Sequence, residues 1–292
     1  MTPVRNAQAL KLLDAYIGDL PLQQVHSVTL QAYIDQRQRK GISNGTLARD
    51  LVVVRRILNL AARLWRDEHG LTWLETAPLI QLPRTTDARK PYPLTWEEQM
   101  LLFEALPAHL QLMALFKVNT GCRQEEVCRL KWKWEIQVPE LDTSAFIIPE
   151  DIVKNQEERL IVLNKVASSV IAGQRYKHKH YVFTYEGHSV QRMNNSGWKR
   201  ARLQAANRYE KVIGQACPEG FRKIRVHDLK HTFGRRLRAA GVSFEDRQDL
   251  LGHKSGRITT HYSAAELGNL IDAANRVCGA ESRKSPALVM LR

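Results

Sequence analysis

The sequence predicts a mainly α protein with one small antiparallel sheet, built as a helical N-terminal domain followed by a larger α+β domain. Three observations carry that expectation. Apolar residues recur at helical spacing through the first third of the chain and again after Ser196. Between them, from Ala145 to Phe183, short β-like runs alternate with polar residues. Residues 83–93 gather three prolines and four charges with no apolar period, the composition of a linker. With 292 residues the chain has length for two domains, each with its own core.

In chain order, Ala7 to Ile17 reads as a first helix ended near Gly18, and Thr29 to Lys40 as a second, ended by Gly41 and basic at Arg37, Arg39 and Lys40. The third is the strongest. From about Thr46, Leu47, Leu51, Val54, Leu58, Ala61 and Trp65 form a core stripe, backed by Arg49, Arg55, Arg56, Arg63 and Arg66 on the other face. The basic stripe fits a solvated face or a DNA contact equally well. After the linker, Thr95 and Glu98 fit a capping box that opens a helix through Met100, Leu101 and Phe103. Phe146-Ile147-Ile148, Ile152-Val153 and Leu160-Ile161-Val162-Leu163 read as strands, with polar Asn155 to Glu158 as a hairpin turn directly after Lys154. Helices then run from about Ser196 to about Val277. One begins at 227–232, carries the stripe Leu229, Phe233 and Leu237, and stops at Gly241.

Composition narrows the function. The chain holds 44 Lys+Arg against 30 Asp+Glu, a net charge of +14, and attracts polyanions, of which nucleic acid is the commonest. The excess is local: residues 1–83 carry ten basic and seven acidic side chains, residues 190–257 sixteen and six. Cys122, Cys128, Cys217 and Cys278 show no CxxC pair or metal-ligand spacing and read as reduced thiols of an intracellular protein. No apolar run reaches the roughly 18–20 residues that span a bilayer, so no membrane partner is expected.

Several short motifs carry chemistry. Thr120-Gly121-Cys122-Arg123-Gln124-Glu125-Glu126 sets Arg123 and Glu126 three apart at a helix start. His227-Asp228-Leu229-Lys230 puts His227 and Lys230 on one helix face. Gly252-His253-Lys254 follows, and nine residues after His253 stands Tyr262, just before another amphipathic helix. His227 and His231 also stand four apart, as in a zinc protease helix. There, however, Asp228 replaces the glutamate that would act as base, and no third ligand follows at a known spacing.

In order and spacing, Arg123 with Glu126, Lys154, the His-x-x-Lys of 227–230, Gly252-His253 and Tyr262 resemble the tyrosine recombinases, the phage integrase family. The likeness covers most of residues 95–275. It implies DNA cleavage by Tyr262 through a covalent 3′-phosphotyrosine, with no cofactor or metal, since the link conserves the bond energy. It implies Arg123, Lys230 and His253 as the groups that neutralise charge on the pentacoordinate phosphate. His227 is then the proton acceptor for the tyrosine, Lys154 the donor to the leaving 5′-oxygen, and Glu126 the residue that holds Arg123. Glu126 also fits a plain surface helix pair, and Lys154 a solvated hairpin charge.

The chain departs from the family pattern at Lys230, where the family usually carries its second arginine. Lysine keeps the charge and loses the two-pronged grip on phosphate, which predicts a slower, working enzyme. A DNA-binding protein of the same fold with weak or no catalysis, and a type IB topoisomerase-like activity, are the alternatives.

The resemblance divides the chain into a helical core-binding, DNA-binding domain at 1–83, a linker at 84–93, a catalytic domain at 94–277 and a tail at 278–292. It implies a C-shaped clamp around double-stranded DNA, with Arg37, Arg39, Lys40, Arg49, Arg55, Arg56, Lys254 and Arg257 on the phosphates. It further implies a homo-tetramer on two DNA sites, with room for DNA-bending accessory factors, working in the cytoplasm near the nucleoid. The apolar tail fits either a frayed end or a segment that docks on a neighbouring subunit. The chain begins almost at the core-binding helices, as in the simple two-domain type or in a chain lacking an arm-site domain.

Overall fold

A computed structural model describes residues 3–87, 89–153, 157–252 and 263–278. The chain divides into two compact units, Met1–Lys90 and Pro91–Arg292.

The first unit is helical: α1 (Pro3–Ile17), α2 (Gln31–Arg39) and α3 (Asn44–Arg63). The Ser43 side chain caps α3 by accepting from the Thr46 amide. Leu47, Leu51, Val54, Leu58 and Ala61 are buried against Leu13, Leu30 and Tyr33, while Trp65, just beyond the helix, is partly buried on the same core. Arg49, Arg55, Arg56, Arg63 and Arg66 are all exposed, so the two stripes of α3 separate as their periodicity predicts. Part of the proline-rich stretch belongs to this unit. The Asn44 amide donates to Asp87 Oδ2 at 2.6 Å and Asn44 Nδ2 to the Arg84 carbonyl at 3.0 Å. Its other end is held by the second unit, where the amides of Tyr92 and Leu94 donate to Asp228 and Thr232.

The second unit opens with α4 (Trp96–Ala105), whose capping box between Thr95 and Glu98 forms in both directions. It leads to α5 (Ala108–Thr120), which is buried at Leu110 and Gln111 and then without a break from Met113 to Thr120. Two of its buried polar side chains bond back to the preceding turn: Asn119 Nδ2 donates to the Leu115 carbonyl and Thr120 Oγ1 to the Phe116 carbonyl. The short α6 (Gln124–Cys128) precedes a three-stranded antiparallel sheet of β1 (Glu135–Val138), β2 (Thr143–Ile148) and β3 (Arg159–Val162), in that order.

The sheet differs from the expected hairpin in two ways. β1 is an additional strand. Ile152-Val153 form no strand: Pro149, which has no N–H to give a ladder, ends β2, and the amides of Ile152 and Val153 turn back to the carbonyls of Pro149 and Glu150. β3 therefore pairs with β2 itself, Ile148 opposite Arg159 and Ala145 opposite Val162.

Then come α7 (Lys165–Ala172), a small hairpin of β4 (Thr184–Tyr185) and β5 (His188–Ser189), α8 (Ser196–Ile213), α9 (Glu219–Arg222), α10 (Asp228–Ala239), α11 (Phe244–Leu251) and α12 (Ala264–Asn275). α5 packs against α7 and α10. The core around Phe103, Phe116, Phe146, Trp198 and Phe221 continues to Leu229 on α10, whose Phe233 and Leu237 pack with Leu250 and Leu270. Asn164 caps α7 through Ala167 and also donates to Asn119 and to the Ala274 carbonyl, which fixes α12, the helix that follows Tyr262 in sequence. No helix among the described residues is long and apolar enough to cross a membrane.

Candidate active site: a basic cleft between α10 and α11

The site is built from helix ends. α5 closes on Gly121 in the left-handed conformation, φ 64°. A Cβ there would lie 2.8 Å from Phe233 and 2.9 Å from Leu251, so glycine is needed both for the turn and for the close approach of α10 and α11. The turn delivers Arg123 to the N-terminus of α6. The Arg123 amide donates to Glu126 Oε2 at 2.7 Å, its Nη1 to Glu126 Oε1 at 2.9 Å, and its Nη2 to the Gly252 carbonyl at 3.2 Å. Arg123 and Glu126 are thus brought together as their spacing predicts, and Glu126 is buried rather than part of a surface pair.

Burial pushes the Glu126 carboxyl up, and Arg159 together with the Arg123 amide and guanidinium outweighs it, holding the group below the ordinary carboxylate value. Arg159 completes the array from β3, with Nε 3.2 Å from Glu126 Oε2 and Nη1 donating to the Leu251 carbonyl at 2.6 Å.

Lys230, on α10, is buried and its ammonium donates to the same Leu251 carbonyl. Burial, then the nearby Arg159 and Arg123, lower it to about 6, with Glu126 pulling the other way. His227 lies at the N-terminus of α10 with an exposed edge, its ring 4.9 Å from that of His231 and nearly perpendicular to it. Desolvation, then the charges of Lys117, His231 and Lys230, lower its imidazole to about 4. At neutral pH it is an uncharged ring able to take a proton. Lys117 stands fully buried behind the site, donating to the Cys122 carbonyl and lowered by burial to about 8.

Beside these groups opens a cleft of about 790 Å³ lined by His227, Lys230, His231, Arg235, Arg238 and Arg247. Such an arrangement binds an anion, and the uncharged imidazole at its rim offers a proton acceptor. Among the described residues no three His, Cys, Asp or Glu side chains stand together as a metal site. Lys154, His253, Lys254, Arg257 and Tyr262, with the tail at 279–292, lie outside the described residues.

Of the basic residues expected on DNA in the first unit, Arg39, Lys40, Arg49, Arg55 and Arg56 are exposed. Arg37 is committed to the fold, with Nη2 3.4 Å from the buried Asp50, which also accepts from Tyr33. Sequence reasoning missed Arg159 and Lys117. Their signal is a lone charge at the head of the run Arg159-Leu160-Ile161-Val162-Leu163, and another inside the otherwise apolar Leu112-Met113-Ala114-Leu115-Phe116-Lys117-Val118.

A family model described as the phage integrase family matches residues 95–267. The integrase of Salmonella phage P22 is 25% identical over 237 residues, 80% of this chain and 57% of the relative, so the chain spans little more than half of that protein. The tyrosine recombinase XerC of Xanthomonas campestris pv. campestris is 24% identical over 267 residues, 88% of this chain and 76% of the relative. Among solved structures, a lambda integrase dimer bound to a COC′ core site superposes with a TM-score of 0.64 at 16% identity, covering 89% of each chain. The XerH recombinase in its pre-cleavage complex with difH superposes with a TM-score of 0.58 at 16% identity, covering 95% of this chain and 77% of the other. These two likenesses establish the fold.

Proposed function

The chain belongs to the phage integrase family, and from that premise we propose that it is a site-specific DNA recombinase that cleaves and rejoins strands through a 3′-phosphotyrosine. The carrying observation is the convergence of Arg123 and Lys230, 107 positions apart in sequence, on the carbonyls of Gly252 and Leu251, directly before His253.

In this reading the Tyr262 oxygen attacks phosphorus, the P–O5′ bond breaks, and the strand remains joined to Tyr262 on its 3′ side. The phenolic proton passes to His227, whose lowered basicity suits a ring that must start neutral. The 5′-oxygen takes a proton from Lys154. Arg123, Lys230 and His253 stabilise the pentacoordinate phosphorane. Attack by a 5′-hydroxyl from a second duplex reverses the chemistry on a new partner and leads through a Holliday junction. No cofactor is required, because each step exchanges one phosphoester for another.

The same reading gives residues 1–83 the role of a core-binding domain, 94–277 that of the catalytic domain, and 84–93 that of the linker closing a clamp on double-stranded DNA. The exposed arginines of α3 support the first role. Strand exchange between two duplexes calls for four active sites, hence a homo-tetramer on two DNA sites.

A nicked duplex carrying a site selected by this chain from a random-sequence library tests the proposal. The expected result is a protein–DNA adduct on denaturing gels, mapped to Tyr262, lost in Tyr262→Phe while binding persists. An adduct on another residue, or none on any selected duplex, overturns it. Holliday junctions from two such duplexes distinguish recombination from simple relaxation.

A further inference from the structure

Arg159 has no part in the reaction set out above, and its surroundings are unlike those of a residue that merely fills space. Its side chain is 3% exposed, so it does not present itself to DNA. Among the described residues its guanidinium reaches four protein groups from three parts of the chain. Nη1 donates to the Leu251 carbonyl at 2.6 Å, Nη2 to those of Leu250 at 3.3 Å and Gly121 at 3.5 Å, and Nε stands 3.2 Å from Glu126 Oε2. The carbonyls of Leu250 and Leu251 belong to the last turn of α11, where no intrahelical N–H remains to satisfy them and the helix dipole favours a cation. Gly252 fits this packing: it is left-handed at φ 57°, and a Cβ on it would collide with Arg159 Nη1. The 250–252 backbone is therefore packed against this guanidinium, with Arg123 and Lys230 on the carbonyls of Gly252 and Leu251 beside it.

Glu126 divides its two oxygens. Oε1 accepts from Arg123 Nη1, and Oε2 accepts from the Arg123 amide and faces Arg159. Arg123, at 20% side-chain exposure, is the arginine of this pair that a ligand can reach.

We propose that Arg159 is a positioning residue for strand cleavage: it fixes Glu126, and through it the Arg123 guanidinium, against the 250–252 turn. The inference rests on the recombinase reading. Without Arg159 the buried carboxylate loses one of the two guanidiniums that lie within 4 Å of it among the described residues, and the end of α11 loses a cap. Arg123 then no longer meets the phosphate in a fixed orientation.

Arg159→Gln and Arg159→Lys in the full chain test this with two readouts. The first uses no DNA: the guanidinium Nε–H resonance of Arg123 is expected to move and exchange faster with water in both variants. The second is single-turnover adduct formation on the selected nicked duplex, with either a phosphate or a neutral methylphosphonate at the scissile position. On phosphate, Arg159→Gln is expected to cleave roughly ten- to a hundredfold more slowly with DNA affinity retained, the loss of about one charge-assisted hydrogen bond. Arg159→Lys falls between, because it keeps the charge without the fork. The methylphosphonate has no anionic charge for Arg123 to neutralise, so most of the deficit should vanish on it. Equal rates for variant and parent on phosphate overturn the proposal. So does an equal deficit on both substrates with the Arg123 resonance unmoved, the result of a general loss of structure. Should Arg159→Gln fail to fold, Arg159→Lys carries the same comparison. If the parent forms no adduct, the recombinase reading fails by itself, and the Arg123 resonance still decides the positioning.

Discussion

The two units of the chain use basic residues in opposite ways. In the first, the arginines of α3 lie in water along one face, whereas Arg5 and Arg37 pair with the buried Asp50. In the second, Lys117, Arg159 and Lys230 are buried at 0%, 4% and 5% exposure around Glu126 at 2%. An exposed arginine keeps its hydration and its charge, and any polyanion can recruit it at an energy that salt screens. A buried cation is locked in direction, and when it is a lysine its charge becomes conditional on pH. On the proposed recombinase reading, the first unit supplies grip and the second chemistry.

That contrast is broken most severely at Glu126. Glu126→Ala leaves Arg159 buried without its carboxylate and should cost about 3–5 kcal/mol of folding stability, read by chemical denaturation. In the double variant with Arg159→Gln the loss should fall well short of the sum of the two singles. Additive losses would mean that the pair does not act as one unit.

Lys230 comes next. Lys230→Arg restores a fork that cannot titrate, so it should speed adduct formation roughly ten- to a hundredfold. The advantage should widen with rising pH, because the parent loses its charge while the arginine does not. A bound phosphate raises the lysine's pKa, which moves this window above the value of about 6 in the free protein. Equal rates at every pH would remove the geometric argument about Lys230.

The same group gives folding a pH dependence of defined sign. Its folded value of about 6 lies below the ordinary 10.5, so the unfolded chain binds more protons between those values. Stability therefore rises with pH across that window. Lys230→Met should remove this part of the slope in melting temperature against pH, and an unchanged slope would place its origin elsewhere.

The smallest effects belong to the first unit. Arg55→Ala and Arg56→Ala should leave the melting temperature unchanged and weaken DNA binding alike on every sequence. Each should lower the slope of log affinity against log salt by about 0.9. A loss confined to one DNA sequence would make either arginine a base reader instead.

What the sequence made legible follows from how far each signal travels along the chain. The capping box of Thr95 and Glu98, the pair Arg123 and Glu126, and the face shared by His227 and Lys230 all span three residues, so local spacing determines them. The buried stripe of α3 was legible because helical period alone sorts Leu47, Leu51, Val54 and Leu58 from the arginines. Ile152-Val153 misled, being apolar and β-branched yet directed into the core by the turn after Pro149, with Val153 buried at 6%. β1 depends on pairing with β2, which its own four residues do not announce. Arg159 was out of reach because its partners lie 38 to 92 residues away in its carbonyl contacts. Only folding reveals which charges point inward.

The pairing of Ile148 with Arg159 has a consequence for insertions and deletions. Side chains along a strand alternate between faces, so sliding β3 by one residue would turn Arg159 to the other side of the sheet and bring Leu160 towards Glu126. Between Lys154, the proposed proton donor, and β3, residues can be added or lost while the strand stays in register. Within β3, even a single deletion replaces a cation with leucine at the centre of the site. Length variation in related chains and in engineered libraries should accordingly collect at 155–158, between Lys154 and β3, and be absent from 159–162.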